Sequence, residues 1–318
     1  HNDAESGLGH LSRSLKLYNK IKRKFKTKFY LNKKNNQNPF TEKFNYLYKK
    51  KKNYNEKNDV KVFLSKIKKP SIIVVDDYRA KKLWFNEVKK KHSLVIFDDL
   101  NKFPLNADII INTKVNFLDK ENIKKVFKKN QKSKILLGPR YALLEKKKNN
   151  IIKNNNSFNI FFYASEQEIF LKLISIGKLL AIFFKKEKID YNFFFSSGSL
   201  KIKTENIYKP FFKDKKHKFI FGKDINKNYN VFNLYVGSAG LNFFEMTQYN
   251  VPGLFFETAK NQEIDLNCAD LFNQFFILKI KEIYNEKKIL DLILLMKKNI
   301  KLLKKYIFNS KFKPDHYG

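Results

Sequence analysis

Ser6-Gly7-Leu8-Gly9-His10-Leu11-Ser12-Arg13 sets two glycines, a histidine and an arginine where a loop runs into an amphipathic helix. Leu11, Leu15 and Tyr18, spaced by four and three, give that helix its apolar stripe. Glycines lack Cβ, so their backbone N–H groups approach a ligand closely, and a helix N-terminus favours an anion. His10 stands at the mouth of such a site and exchanges a proton near neutral pH. The chemistry implied is proton transfer on a phosphorylated substrate.

Further polar groups close a series of apolar runs. Ile72-Ile73-Val74-Val75 ends in Asp76-Asp77-Tyr78, and Leu94-Val95-Ile96-Phe97 ends in Asp98-Asp99. Ile109-Ile110-Ile111 ends at Asn112, and Ile135-Leu136-Leu137 at Gly138-Pro139. Such runs are strands of a buried parallel sheet, whose ligands gather at the carboxyl ends. A single carboxylate there serves equally well as a helix N-cap. Asp76, Tyr78, Asp99 and Asn112 together, in one sheet with a glycine loop, are better explained as a site. In the second half Gly237-Ser238-Ala239-Gly240 follows a strand and opens a helix carrying Glu245, a second anion-accepting N-terminus. Those glycines also suit any tight turn, and Glu245 also suits a solvated helix face. Asn261 and Gln262 follow the next strand, either as a turn or as amides that read sugar hydroxyls.

These residues need a scaffold of alternating strands and helices. Lys49 to Asn58 reads as a solvated surface segment and Lys146 to Asn156 as a linker. Beyond it, Asn159–Tyr163, Tyr191–Phe195, Phe219–Phe221, Asn233–Val236 and Leu254–Phe256 read as strands, and Glu168–Phe184 as a helix. Ile293, Met296, Ile300, Leu303 and Ile307 mark one long amphipathic helix, a stripe better suited to core packing than to a partner or membrane face. The expected architecture is α/β: two Rossmann-like domains with parallel sheets facing a cleft. Residues 1–150 carry the glycine loop and His10; residues 151–318 carry the Gly237 turn, and their terminal helix packs back on the first domain. The glycine loop begins within six residues of His1, which leaves no room for the strand that normally precedes it. That first strand is expected upstream of this sequence.

Composition bounds the rest. The 318 residues are 43% hydrophobic, enough for proper cores and against wholesale disorder. The formal charge of +36 would suggest a nucleic-acid or anionic partner. The excess lysine is spread along the whole chain beside abundant Asn, Ile and Phe, the drift of a very AT-rich genome, so no specific nucleic-acid partner is expected. Cys268 stands alone, which excludes an internal disulfide and fits a reducing, cytoplasmic compartment. No apolar run reaches the roughly 20 residues of a membrane span.

In order, Ser6 to Arg13, Val75 to Tyr78, Phe97 to Asp99, Leu137-Gly138-Pro139-Arg140-Tyr141-Ala142-Leu143-Leu144, Gly237 to Glu245 and Ala259 to Gln262 resemble the signatures of one enzyme family. It is the UDP-2,4-diacetamido-2,4,6-trideoxy-β-L-altropyranose hydrolases of pseudaminic acid synthesis, relatives of the peptidoglycan N-acetylglucosaminyltransferase. The resemblance spans nearly the whole chain, and the Gly-Pro-x-Tyr-Ala-Leu-Leu block is its most specific part. It implies a GT-B fold, with the nucleotide mostly on the second domain, and a catalytic His10. Tyr78 would line the sugar pocket, with Gly9, Arg13, Asp76, Asp99, Asn112 and Tyr141 also among the substrate-binding residues. Gly237, Ser238, Ala239 and Gly240 would hold the diphosphate, Glu245 the ribose, and Asn261 with Gln262 the phosphate or sugar. Two positions depart from the family: His1 stands where an arginine is usual, and Tyr163-Ala164-Ser165-Glu166 replaces its Gly-Gly-x-Asp turn.

Hydrolysis of a nucleotide sugar needs a water at the anomeric carbon, and UDP already leaves well, so one general base suffices. His10 is the best placed of the five histidines. No cofactor is implied, and no His, Cys or carboxylate cluster has metal-ligand spacing. The expected protein is a monomer acting on a UDP-sugar. The alternatives are a UDP-sugar-dependent glycosyltransferase, in which His10 deprotonates a sugar hydroxyl, and, further off, a basic nucleic-acid-binding protein.

Overall fold

The computed structural model describes residues 9–33, 45–48, 54–100, 105–114, 120–130, 132–144, 147, 156–197, 210–220, 223–258, 262–312 and 314. Two compact units meet in sequence at Leu143 and Leu144.

The first unit runs α1 (Gly9–Ile21), β1 (Tyr30–Lys33), β2 (Asn45–Tyr48), α2 (Glu56–Lys66), β3 (Ile72–Val75), α3 (Lys82–Lys89), β4 (Ser93–Phe97), β5 (Ile109–Asn112), α4 (Lys120–Lys129) and β6 (Lys134–Leu137). The four apolar runs form a parallel sheet in the order β3-β4-β5-β6, with Val75 opposite Ile96 and Phe97 opposite Ile111. In-register pairing brings their polar termini to one edge of the sheet, which is what a site there requires. β1 and β2 pair in parallel as a separate two-stranded sheet. Sequence reading missed both, since YLNK and NYLY are short and half polar.

Of the segment read as solvated, residues 54–58 are exposed or half-buried, as expected, and Glu56 to Asn58 open α2. Asn55 caps α2 by accepting from the Asn58 N–H, and Asp59, Val60 and Phe63 are buried within that helix. Asp59 is held there by Trp84 Nε1–H at 3.0 Å and Tyr48 Oη–H at 2.9 Å. Residues 49–53 lie outside the described ones. Among the described residues β3 pairs on one side only, with Ile72 73% and Val74 40% exposed. Ile73 and Val75 alternate with them into the core beside Trp84, Val88 and Leu94.

The second unit holds β7 (Phe158–Tyr163), α5 (Gln167–Lys186), β8 (Tyr191–Ser196), β9 (His217–Phe219), α6 (Lys223–Asn228), β10 (Leu234–Ser238), α7 (Leu241–Gln248), β11 (Gly253–Glu257), α8 (Glu263–Leu266), β12 (Phe276–Lys279), α9 (Glu286–Lys298) and α10 (Ile300–Phe308). Its six strands are all parallel, in the order β12-β11-β10-β7-β8-β9. β7 and β8 are buried on both faces and carry a phenylalanine ladder, Phe162 stacking on Phe195 at 4.7 Å. α5 and α9 cover that sheet through Leu173, Leu180, Ile289 and Ile293.

Two boundaries move. β9 begins at His217 rather than Phe219, and the single long terminal helix is two helices meeting at Asn299, whose side chain donates to Leu295 O at 2.9 Å. Both helices belong to the second unit. Among the described residues no helix is long and apolar enough to cross a membrane.

Two tests of this packing follow. A Cβ at Gly237 would stand 2.0 Å from Tyr163 O, a backbone atom that cannot yield alone. Gly237→Ala is expected to destabilise the second unit by about 2 kcal/mol or more through forced strand separation; an unchanged urea midpoint would contradict this. His217 is sandwiched by Phe211 at 3.9 Å and Phe193 at 5.6 Å, with Nδ1 against Phe211 O at 2.7 Å. Burial lowers its pKa, outweighing the Phe211 carbonyl. The neutral ring is therefore favoured in the fold. Its contribution is whole above the ordinary value of about 6.5 and is lost as pH falls through it toward the folded value. Amide exchange in β8 and β9 is expected to accelerate from pH 7 to 5, and His217→Phe to remove that dependence; the same slope in both proteins would contradict it.

Candidate functional site

In the first unit α1 delivers His10 and Arg13, three residues apart and on one face, to the carboxyl ends of β3 and β4. His10 is 6% exposed, and its Nδ1 lies 2.5 Å from Asp76 Oδ1. Arg13 clasps both Asp76 oxygens, Nε donating to Oδ2 at 2.9 Å and Nη2 to Oδ1 at 2.6 Å. Its Nη1 donates to Asp99 Oδ2 at 2.8 Å, and the guanidinium lies over the Phe97 ring at 4.7 Å. Ser14 Oγ donates to Asp76 Oδ2 at 3.1 Å. Tyr78 Oη donates to Asp99 Oδ2 at 2.8 Å, and its ring meets the His10 imidazole edge-on at 4.3 Å. Asp99 Oδ1 is buried and has no hydrogen-bond partner among the described residues.

Two buried carboxylates around one guanidinium form a charge-compensated cluster. Burial by itself would raise the Asp76 carboxyl, but the Arg13 charge and the hydrogen bonds from His10 and Arg13 outweigh it and hold the group far below the usual range. For Asp99, burial is again overcome, by Arg13 and then Lys114. Burial and the neighbouring Asp99 push the Tyr78 hydroxyl well above its ordinary value, so it stays a donor. An ionised Asp76 facing Nδ1 fixes the proton there and leaves Nε2 as the nitrogen that accepts one. The imidazolium so formed would be stabilised by Asp76. A histidine–aspartate pair whose aspartate is locked by an arginine is an arrangement that can serve as a general base.

The other aspartate of each first-unit pair does something else. Asp77 forms a two-pronged pair with Arg79, at 3.0 and 2.7 Å, and Asp98 accepts from Leu100 N–H. Asn112 is buried and accepts from Lys114 N–H, tying the turn after β5 rather than meeting the dyad through that oxygen. Tyr141 closes the Pro139–Tyr141 turn, half-buried beneath Arg140 at 5.7 Å. Gly138 has φ +101°, a conformation that favours glycine. Gly9 is the first residue of α1; Ser6, Gly7 and Leu8 lie outside the described residues.

In the second unit the Gly237–Gly240 turn leads from β10 into α7. Gly240 has φ +79° at the helix N-cap, again a glycine conformation. Ala239 N–H donates to Phe256 O, and Ser238 is buried, its Oγ without a hydrogen-bond partner among the described residues. Gln262 reaches this turn, its Nε2 lying 3.7 Å from where a Gly240 Cβ would be, while its Oε1 accepts from Thr258 N–H and Oγ–H. Asn261 lies outside the described residues. Glu245 is 4% exposed, and its Oε2 accepts from Tyr229 Oη at 2.5 Å. Ser14 and Tyr229 are the two functional neighbours that sequence reading missed. Ser14 follows His10 by four residues, a helical-face signal that was there to be used; Tyr229 stands in a Lys/Asn stretch with no such signal.

No protein-family model matches the chain. No curated protein matches it either. Solved structures do. A Listeria monocytogenes protein assigned as a UDP-N-acetylglucosamine 2-epimerase is similar over 100% of this chain and 91% of its own, at 11% identity and TM-score 0.57. The Neisseria meningitidis UDP-GlcNAc 2-epimerase bound to UDP-GlcNAc is similar over 86% and 81%, at 11% identity and TM-score 0.52. The pneumococcal O-GlcNAc transferase in complex with UDP and GlcNAc gives 11% identity and TM-score 0.51 over 80% of this chain, which spans 56% of the transferase's length. At this identity the likeness is one of fold: two Rossmann-like units of the GT-B class.

Proposed function

We propose that this chain is a UDP-sugar hydrolase, with His10 as general base. The observation that carries this is the His10–Asp76 contact of 2.5 Å, locked by Arg13 where the glycine-loop helix meets β3. Support for the nucleotide comes from the fold, shared with proteins that handle UDP-sugars, and from a glycine turn opening α7 in the second unit. The sequence resemblance narrows the substrate to a UDP-linked diacetamido-trideoxyhexose on the way to pseudaminic acid.

In this reading Nε2 of His10 takes a proton from water as its oxygen bonds to the anomeric carbon. The bond from that carbon to the β-phosphate oxygen breaks, and its electron pair leaves with UDP. Asp76 stabilises the imidazolium, and Asp99 Oδ1 accepts from a sugar hydroxyl or amide N–H. Amides at the Gly240 end of α7 meet the charge developing on the diphosphate, and Glu245 holds the ribose.

A panel of UDP-sugars, followed by UDP release with and without acceptor sugars, tests the proposal. Release without acceptor, fastest for a diacetamido-trideoxyhexose, is the expected result. Release that depends on an acceptor would make the chain a transferase.

A further inference from the structure

β7 and β10 lie side by side, and their helices depart in opposite directions, α5 toward β8 and α7 toward β11. Ligands of doubly wound sheets enter at such a reversal, beyond the carboxyl ends of the strands. Tyr163, the last residue of β7, and Gly237 to Gly240, closing β10, stand on its two sides. Glu245 on α7 is the carboxylate there, and phenols surround it. Tyr229 Oη donates to Oε2 at 2.5 Å, and Tyr163 and Tyr235 lie close enough to share its field. Burial first, and Glu245 second, push the Tyr163 hydroxyl up to about 12 and that of Tyr229 well above its ordinary value, so both remain protonated donors. The Tyr229 ring packs on Tyr249 at 5.3 Å and Phe232 at 6.3 Å.

With 4% of its surface exposed, Glu245 offers no open face to an arriving hydroxyl. A ribose diol grips a carboxylate through both oxygens, and one of them already accepts a short hydrogen bond. The two donors are chemically alike, each a hydroxyl to a carboxylate, so one can replace the other without leaving the buried charge unpaired. We propose that Tyr229 holds the position on Glu245 that a ribose hydroxyl takes when nucleotide binds, and that the exchange sets the affinity for ribonucleotides. This rests on the nucleotide reading above. Tyr229 is then an affinity-determining residue that acts by competition, and its removal strengthens binding.

Calorimetric titration with UDP and with 2′,3′-dideoxy-UDP tests this on the full chain, on Tyr229→Phe and on Tyr229→Leu, each first confirmed as folded by its melting curve. The leucine variant removes the ring together with the hydroxyl and serves if the phenylalanine variant does not fold. UDP is expected to bind the variant about tenfold tighter, the loss of one competing charged hydrogen bond. Dideoxy-UDP is expected to bind the variant and the parent alike. Unchanged or weaker UDP binding overturns the proposal, as does an equal gain for both ligands, and either leaves the nucleotide reading standing. Failure of parent and variant alike to bind UDP overturns the nucleotide reading, and the proposal with it.

Discussion

His10→Ala is expected to abolish turnover while leaving UDP affinity within about twofold of the parent. The imidazole is the group in the first-unit cluster that can take a proton, since Asp76 is held ionised by Arg13 and its oxygens accept from His10, Arg13 and Ser14. Loss of a positioned general base costs typically about 10²–10⁴-fold. The proposed nucleotide determinants, Gly237 to Gly240 and Glu245, belong to the second unit. Initial rates of UDP release, paired with calorimetric UDP titration, separate the two effects. A variant that keeps more than about a tenth of kcat removes His10 from the chemistry.

The second large effect is structural. Arg13→Met takes away the cation shared by Asp76 and Asp99 and leaves two carboxylates buried together. Removal of one partner from a buried ion pair costs about 3–5 kcal/mol. The deficit should depend on pH in a definite direction. In the parent, burial opposes ionisation of Asp76 but Arg13 overcomes it, so the folded pKa is depressed. The stabilisation this brings is whole above the unfolded value of about 3.9 and is lost as pH falls below it. Without Arg13 the burial contribution prevails, and the variant's carboxyls gain stability by protonation as the pH drops. The gap between parent and variant should therefore narrow from pH 7 to 4.5. Trp84, the single tryptophan, is 5% exposed in the first unit and reports that unit's urea unfolding by fluorescence. A gap below about 1 kcal/mol at pH 7, or one that widens on acidification, would contradict the account.

Asp76, Tyr78 and Asp99 are legible in the sequence because apolar β-branched runs name parallel strands, and the residues just past them must gather at one edge, while His10 and Arg13 are legible from the glycine loop that opens α1. The motif does not tell which aspartate of each pair turns inward. That depends on strand pleat and on local partners, Arg79 for Asp77 and Leu100 N–H for Asp98. β1 and β2 were illegible because four mixed residues carry no period. The break at Asn299 was hidden by spacing that continues in step through Ile300, Leu303 and Ile307, although Asn299 itself was the available stop signal. Tyr229 meets Glu245 only through the packing of a 3₁₀ turn beneath α7, a contact no spacing encodes.

The central claim is water attack at the anomeric carbon, driven by His10. Reaction of the UDP-sugar substrate in ¹⁸O-labelled water, with no acceptor present and UDP analysed by mass spectrometry, tests it most directly. The account predicts steady release of UDP that carries no label, the solvent oxygen leaving with the sugar. Label in the β-phosphate of UDP, or no release without an acceptor, would contradict it.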